Sequence, residues 1–282
     1  MRVILRKNDS ATSILLFTYN NYLTHFNKDK VKLANLLEVL KAFGKNETAI
    51  RMSLSRAVKA GMLINKNESG EVSYLLTSGG KDAIGVWNEG MRKFWERYAL
   101  RHIPWDGKWH LINIELGEKQ KDERTAILEG LQQSAFGMLS TNTWISPYNQ
   151  STSSLLEGFD LGSVMVKVDG HVTVSNINMF LERVFDLEKL VQPYEFFIKT
   201  FREKLNEMGQ ISKDEWFVQG GHALPVLHEL GRQFFKVAAE DVMLPKELCP
   251  EWVGDEAAQL MREFRELLLK PTLNFIRYLE SK

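Results

Sequence analysis

The apolar positions of "SATSILLFTYNNYL" (Ile14, Leu15, Phe17, Tyr19 and Leu23) predict a first helix, with Ser10 or Thr12 as its cap. In "KVKLANLLEVLKAFG", Leu33, Leu36, Leu37, Leu40 and Phe43 recur at helical spacing and predict a second, closed by Gly44 in a left-handed C-terminal cap. Asn46 then caps a third helix, Glu47 complements its dipole, and Gly61 ends it. From Met62, Leu63 and Ile64 the period becomes extended. "NKNESG" reads as a polar turn and "EVSYLLT" as a returning strand. Three helices and a hairpin are the layout of a winged helix-turn-helix. A longer helix follows over "KDAIGVWNEGMRKFWERYALRHI", with Trp87, Met91, Phe94, Trp95 and Tyr98 predicted on its buried side.

Pro104 breaks that pattern, and "WDGKWHLINIEL" opens a second region with a strong strand. A helix over "KDERTAILEGLQQSAFG", a strand through "LSTNTWISPY", a Ser/Gly-rich connection "QSTSSLLEGFDLGS" and a strand or hairpin in "SVMVKVDGHVTVS" follow. This order suggests a split βαβ unit of ferredoxin-like type. The remainder reads as helical: "DLEKLVQPYEFFIKTFREKLNEMG", "PVLHELGRQFFKVAAED", and "GDEAAQLMREFRELLLKPTLNFIRYLE" with Asp255 as cap and Pro271 as a kink or break. Gly220-Gly221 reads as a turn. The fold class is α+β, expected as a winged helix-turn-helix with linker helix over 1–103, a ferredoxin-like middle domain over 104–180 and a helical C-terminal domain over 181–282.

Charge changes this picture from architecture to partner. The chain of 282 residues is formally neutral, with 36 Lys and Arg against 36 Asp and Glu. Residues 1–103 nonetheless hold 17 basic against 9 acidic residues, and residues 104–282 hold 19 against 27. Such a split suits a first third that faces a polyanion and a remainder that avoids one. No run approaches the roughly 18 apolar residues of a membrane span, and "MRVILRKNDS" is too short in apolar residues for a signal-peptide core. Cys249 is the one cysteine, so no internal disulfide forms and a reducing cytoplasm fits.

The third helix has two faces. Ile50, Leu54, Ala57 and Val58 make a core stripe, while Thr48, Arg51, Met52, Ser55 and Lys59 project from the other side. Arginine can bond two guanine acceptors at once, serine and threonine read several base edges, and a methyl-bearing side chain meets the thymine methyl. Arg51 and Ser55 are expected at base edges, Arg56 and Lys59 at phosphates, and Lys66 and Asn67 at the backbone or minor groove from the hairpin tip. A solvated basic helix beside a hairpin is the alternative reading of the same residues.

Catalysis finds little support. Glu115, with Glu118 after it, sits where a ferredoxin-like nuclease would hold a divalent metal at the end of its first strand, a fold the middle region also resembles, but no second acidic set converges with it. His25, His102, His110, His171, His222 and His228 form no recognised metal spacing, and no Gly-rich phosphate-binding motif is present. Cys249 between Leu248 and Pro250 suits an apolar site better than a nucleophile. Neither catalytic residues, metal nor cofactor are expected. A metal-dependent nuclease and an RNA-binding protein that stacks bases on its sheet are the alternatives, the latter opposed by the acidic balance beyond residue 103.

Three ordered segments carry a resemblance. "ETAIRMSLSRAVKAGML" with Arg51 and Arg56, "WDGKWHLINIEL" followed by "GMLSTNTWISP", and "LPKELCPEWVGDEAAQL" resemble the PaaX family of bacterial transcriptional repressors. The resemblance spans nearly the whole chain. It implies a homodimeric repressor of double-stranded operator DNA that is released by an acyl-coenzyme A effector, phenylacetyl-coenzyme A in the best-known case; the two-fold symmetry of such a dimer in turn predicts an inverted-repeat operator. Trp105, Trp109 and His110 are candidates for the effector site because they stand at an expected domain junction.

Overall fold

The structure, a computed structural model, describes residues 11–115, 125, 127, 128, 130–132, 134–149, 165–209 and 220–282. Its first elements are α1 (Ala11–Phe26), β1 (Lys30–Lys32), α2 (Leu33–Ala42), α3 (Glu47–Lys59), β2 (Leu63–Glu68) and β3 (Glu71–Leu76), followed by α4 (Ser78–Arg101). The three strands form an antiparallel sheet in the order β1-β3-β2. This is a winged helix-turn-helix, with one strand the hydrophobic pattern does not announce. β1 has only three residues, of which Val31 alone is buried, so its two lysines mask it in the sequence.

Three local expectations are corrected here. The turn of the wing is only Ser69-Gly70, both with positive φ, so Asn65–Glu68 belong to β2 rather than to a six-residue tip. "SGG" after the wing begins α4: the Thr77 hydroxyl accepts from the Gly80 N–H at 3.1 Å and acts as its cap. Thr12 lies inside α1 and does not cap it, and Ser10 lies outside the described residues.

The middle strands are β4 (Trp109–Ile114), β5 (Gly137–Ser140), β6 (Thr143–Ser146) and β7 (Met165–Gly170), in the antiparallel order β5-β6-β4-β7. In chain order the sheet reads second, third, first, fourth, which is the ferredoxin-like arrangement. The single strand expected through "LSTNTWISPY" is two, β5 and β6, joined at Thr141-Asn142. "QSTSSLLEGFDLGS" and part of "KDERTAILEGLQQSAFG" lie outside the described residues; positions 125, 127, 128 and 130–132 are helical. Alternation along β4 explains how both faces are covered. Ile112 and Ile114 pack with Trp144, Ile127 and Leu131, whereas Trp109 packs with Ile145, Leu181, Val184 and Phe185.

The C-terminal elements are α5 (Ile177–Phe185), α6 (Glu188–Gly209), α7 (Gly220–Ala238) and α8 (Val253–Glu280). Gly220-Gly221 therefore starts a helix instead of making a turn. Pro271 lies within a continuous α8 and breaks nothing, and Asp255 is in its first turn rather than at its cap.

The chain forms two compact units. One comprises residues 1–90, 200–233 and 260–282, the other residues 91–199 and 234–259. In the first, the winged helix shares its core with the C-terminal helices. Phe17 and Phe43 meet the His228 ring edge-on at 5.0 and 5.5 Å, Asn35 donates to Glu280 at 2.7 Å, and Lys28 pairs with the same carboxylate. In the second, Phe94 on α4 packs edge-on against Phe234 at 5.1 Å and Trp95 stacks on it at 5.9 Å.

Candidate nucleic-acid interface

Helix α3 is fixed at both ends by its own sequence. Asn46 accepts from the Ala49 N–H at 2.8 Å, which satisfies one of the donors a helix N-terminus leaves unpaired. Before it, Gly44 (φ 70°) closes α2 with bonds from Gly44 to Lys41 and from Lys45 to Leu40. After it, Gly61 (φ 72°) closes α3 the same way, with bonds from Gly61 to Val58 and from Met62 to Ala57. The two left-handed glycines set the direction in which the chain enters and leaves α3.

Between these caps, one stripe anchors the helix and the other is free. Ile50, Leu54 and Ala57 are buried, joined by Ser53, whose hydroxyl donates to the Ala49 carbonyl at 2.7 Å. Thr48, Arg51, Met52, Ser55, Arg56 and Lys59 are all exposed, as are Lys66 and Asn67 on β2. The predicted readers thus share the solvent side of one helix, with Met52 half exposed among them. Lys66 and Asn67 stand opposite Ser73 and Val72 along the strand, not at the turn. The face is not uniformly open. Arg51 Nε donates to Glu47 at 2.9 Å, Lys30 pairs with Glu68 at 2.5 Å and Lys32 with Glu71 at 2.8 Å. Arg56 and Lys59 have no ion-pair partner among the described residues.

The effector candidates separate. Trp105 and His110 line a cleft of about 160 Å³ together with Ile103, Pro104, Pro147 and Tyr148. The Trp105 indole N–H donates to the Lys108 and Pro147 carbonyls, and His110 Nδ1 lies 2.7 Å from Asp169. Trp109 is 2% exposed and belongs to the core beneath, meeting Trp105 edge-on at 5.3 Å. It stands on the inward face of β4, whereas Trp105 and His110 line the cleft.

Two functional-looking residues are missed by reading α4 as aromatic packing alone. Arg97 and Arg101 are 6% and 0% exposed. Arg101 forms a bidentate pair with Asp255 at 2.8 and 2.7 Å and donates to the carbonyls of Leu244 and Cys249. Burial works against its charge, but the hydrogen bonds and charge of Asp255 outweigh it and raise its pKa. Beside it, fully buried Asp241 accepts from Tyr194 at 2.9 Å, Trp252 at 2.8 Å and the Met243 N–H at 2.8 Å. Burial pushes the Asp241 carboxyl above its ordinary range despite those donors. A side chain at Gly254 would meet Trp252 and Asp241 at under 3 Å, so the "EWVGDEA" segment has a packing reason for each of Trp252, Gly254 and Asp255. The available signal was positional: Arg97 and Arg101 fall at i+3 and i+7 from buried Phe94, on the apolar stripe. Cys249 is partly buried in the same cluster, and burial raises its thiol pKa.

Glu115 follows β4 and is exposed, while Glu118 lies outside the described residues. Among the described residues no three His, Cys, Asp or Glu side chains gather as a metal site, and no helix is long and apolar enough to cross a membrane.

Comparison with known proteins follows the same three regions. Residues 10–80 match the PaaX-like protein family, residues 102–174 the PaaX protein central Cas2-like domain, and residues 185–278 the PaaX-like protein C-terminal domain. No curated protein matches the chain. Among solved structures, an uncharacterized protein, Rv0674, from Mycobacterium tuberculosis is similar in fold, with a TM-score of 0.57 over 93% of this chain and 97% of that one at 18% identity. Matched in order by all three of its domains, the chain belongs to the PaaX-like family.

Proposed function

We propose that the protein is a transcriptional repressor that binds double-stranded operator DNA as a homodimer on an inverted repeat and is released by an acyl-coenzyme A thioester. The observation that carries the reading is the exposed face of α3. Its readers stand on a helix whose opposite stripe is anchored in a winged-helix core, beside a strand that presents Lys66 and Asn67. In this reading Arg51 and Ser55 reach base edges, with Thr48 and Met52 beside them, while Arg56 and Lys59 hold phosphates. A single winged helix reads few base pairs; a two-fold dimer doubles the readout and matches a palindromic site.

Release follows from linkage. A ligand shifts DNA affinity only by the difference in its affinity for two conformations, so a hundredfold release requires about 2.7 kcal/mol of coupling. The Trp105–His110 cleft is near the size of about 150 Å³ that holds one benzene ring, and far below the roughly 300–1,000 Å³ of a complete ligand pocket. It suits the acyl end of such a thioester, with the nucleotide lying outside.

Gel-shift titration with DNA selected from the protein's own genomic neighbourhood, at low and high salt, tests the first part. Tight, salt-sensitive and sequence-selective binding is expected; equal affinity for all sequences would remove the repressor reading. Calorimetry with a panel of acyl-coenzyme A esters, with and without operator, tests the second. Operator must weaken ligand binding by the factor by which ligand weakens operator binding, and Trp105→Ala must lower affinity for the ester.

A further inference from the structure

Alternation divides the three-stranded sheet of the wing into two faces. Val31, Leu63 and Leu76 are buried on one of them. On the other, register sets Ser73 of β3 directly between Lys32 of β1 and Lys66 of β2. Lys30, Leu75 and Ile64 form the neighbouring row of the same face, and Glu71 and Glu68 oppose each other at its hairpin end. All three lysines and both glutamates are exposed. Lys30 pairs with Glu68 at 2.5 Å and Lys32 with Glu71 at 2.8 Å, so three lysines meet two carboxylates and one positive charge stands in excess. Ser73, at the centre, is 3% exposed, and its hydroxyl has no hydrogen-bond partner among the described residues. Leaving a buried hydroxyl unpaired costs stability and is rare in folded proteins, so this one calls for a partner from outside.

We propose that this face of the wing is a seat for one phosphate of the nucleic-acid backbone, held by the Ser73 hydroxyl and the ammonium groups of Lys32 and Lys66. The proposal rests on the DNA-binding reading above and adds a contact away from α3. The seat offers donors, and the oxygens of a phosphodiester only accept, so a hydroxyl between two ammonium groups suits them. In the free protein Glu68 and Glu71 take the place of that anion. The lysines they hold are about half exposed, and exposed pairs of this kind contribute little, so a phosphate replaces a carboxylate at small cost. Exchange at Lys32 frees the ammonium beside Ser73, and the buried hydroxyl gains the acceptor it lacks. Asn67 does not share the seat, because its register partner is Val72, on the opposite face. A bound water is the rival occupant. The two differ in what loss of the hydroxyl does: a water seat affects stability alone, whereas a phosphate seat affects DNA binding.

Affinity across a salt series, for the DNA fragment that the wild-type protein binds most tightly, tests the seat together with urea unfolding of the same variants. Ser73→Ala should lower DNA affinity about tenfold and leave stability unchanged or higher, because it deletes a hydroxyl that the free protein leaves unpaired. Lys32→Ala and Lys66→Ala should each reduce the slope of log affinity against log salt by about 1. A scan of the fragment with single methylphosphonates, which remove one backbone charge at a time, then locates the phosphate. One position should matter to wild type and no longer matter to Ser73→Ala or Lys32→Ala, the non-additivity that marks direct contact. A Ser73→Ala variant that loses stability and keeps its DNA affinity would make the occupant a water and overturn the seat. Unchanged salt slopes in both lysine variants, or methylphosphonate effects that simply add to those of the substitutions at every position, would overturn it too. In each of these cases tight binding by wild type leaves the DNA-binding reading in place. A wild-type chain without affinity for any DNA would overturn both.

Discussion

Helix α3 holds Arg51 in solvent against one carboxylate four residues away, whereas α4 holds Arg101 fully buried against Asp255, 154 residues on. Both arginines stand on amphipathic helices. The first keeps its hydration and can exchange Glu47 for a nucleic acid at small cost. The second has given up water entirely, and four hydrogen bonds to Asp255, Leu244 and Cys249 replace it. The difference teaches that a basic residue on a helix says nothing of partner until its face is known. Arg51 departs from the Ile50–Leu54–Ala57 stripe, and Arg101 continues the Phe94 stripe.

The largest expected effect breaks that comparison at its buried end. Arg101→Ala leaves two carbonyls and a partly buried carboxylate without their donor, and should cost about 3 kcal/mol of stability or more. Arg101→Lys keeps the charge but loses the planar fork, so it should recover only part of that. Arg51→Ala should change stability by less than about 0.5 kcal/mol. Urea unfolding of the three variants checks all of this. An Arg101→Ala variant as stable as wild type would mean the cluster is not a stabilising centre.

The next effect lies at the exposed end. Arg51→Ala should lose about 1–3 kcal/mol of operator affinity and relax preference at one base position. Competition binding against a set of single-base operator variants reads both quantities. Wild-type affinity and selectivity would place the reading face elsewhere on the winged helix.

The sequence carried the exposed end of the comparison far better than the buried end. Asn46, Gly44, Gly61 and the apolar stripe of α3 are local signals, and local geometry alone decides where the helix starts, stops and faces. The ferredoxin-like order was legible from alternating periods, although β5 and β6 merged because their two-residue turn, Thr141-Asn142, contains no glycine or proline to mark it. β1 was hidden for a different reason: an edge strand flanked by lysines buries a single side chain. The Arg101–Asp255 pair depends on chain segments far apart in sequence, and no periodicity reports a partner at that separation. The difference between Trp105 and Trp109 is likewise hidden in the sequence, because Trp105 lines a cleft while Trp109 points from β4 into the core. Gly220-Gly221 and Pro271, ordinary breakers, sit within helices held by tertiary packing rather than by propensity.

A smaller effect sharpens the contrast between base reader and phosphate contact. Lys59 is exposed and has no ion-pair partner among the described residues, so nothing must be broken before it meets a phosphate. Lys59→Ala should weaken all DNA sequences about equally and reduce the slope of log affinity against log salt by about 1. Filter-binding isotherms across a salt series measure that slope. A loss confined to one operator position would instead make Lys59 a base reader.

The smallest effect concerns the carboxylate that holds Arg51. Glu47 lies in the first turn of α3 and takes Arg51 at 2.9 Å, with both side chains about half exposed. Such a pair is worth only about 0.3–0.5 kcal/mol, which DNA must overcome before Arg51 reaches a base. Glu47→Gln removes that competitor and also a negative charge that would face phosphate. Affinity should therefore rise about twofold to threefold, with the gain largest at low salt, where exposed charges are least screened. The same change removes a carboxylate that complements the helix dipole, so stability should fall by about 0.5 kcal/mol. The two effects have opposite signs and separate readouts, fluorescence anisotropy for one and urea midpoint for the other. In Arg51→Ala the affinity gain from Glu47→Gln should shrink, because the released partner is gone and only the charge term remains. If Glu47→Gln leaves affinity unchanged at low salt in both backgrounds, this face of α3 does not meet the nucleic acid.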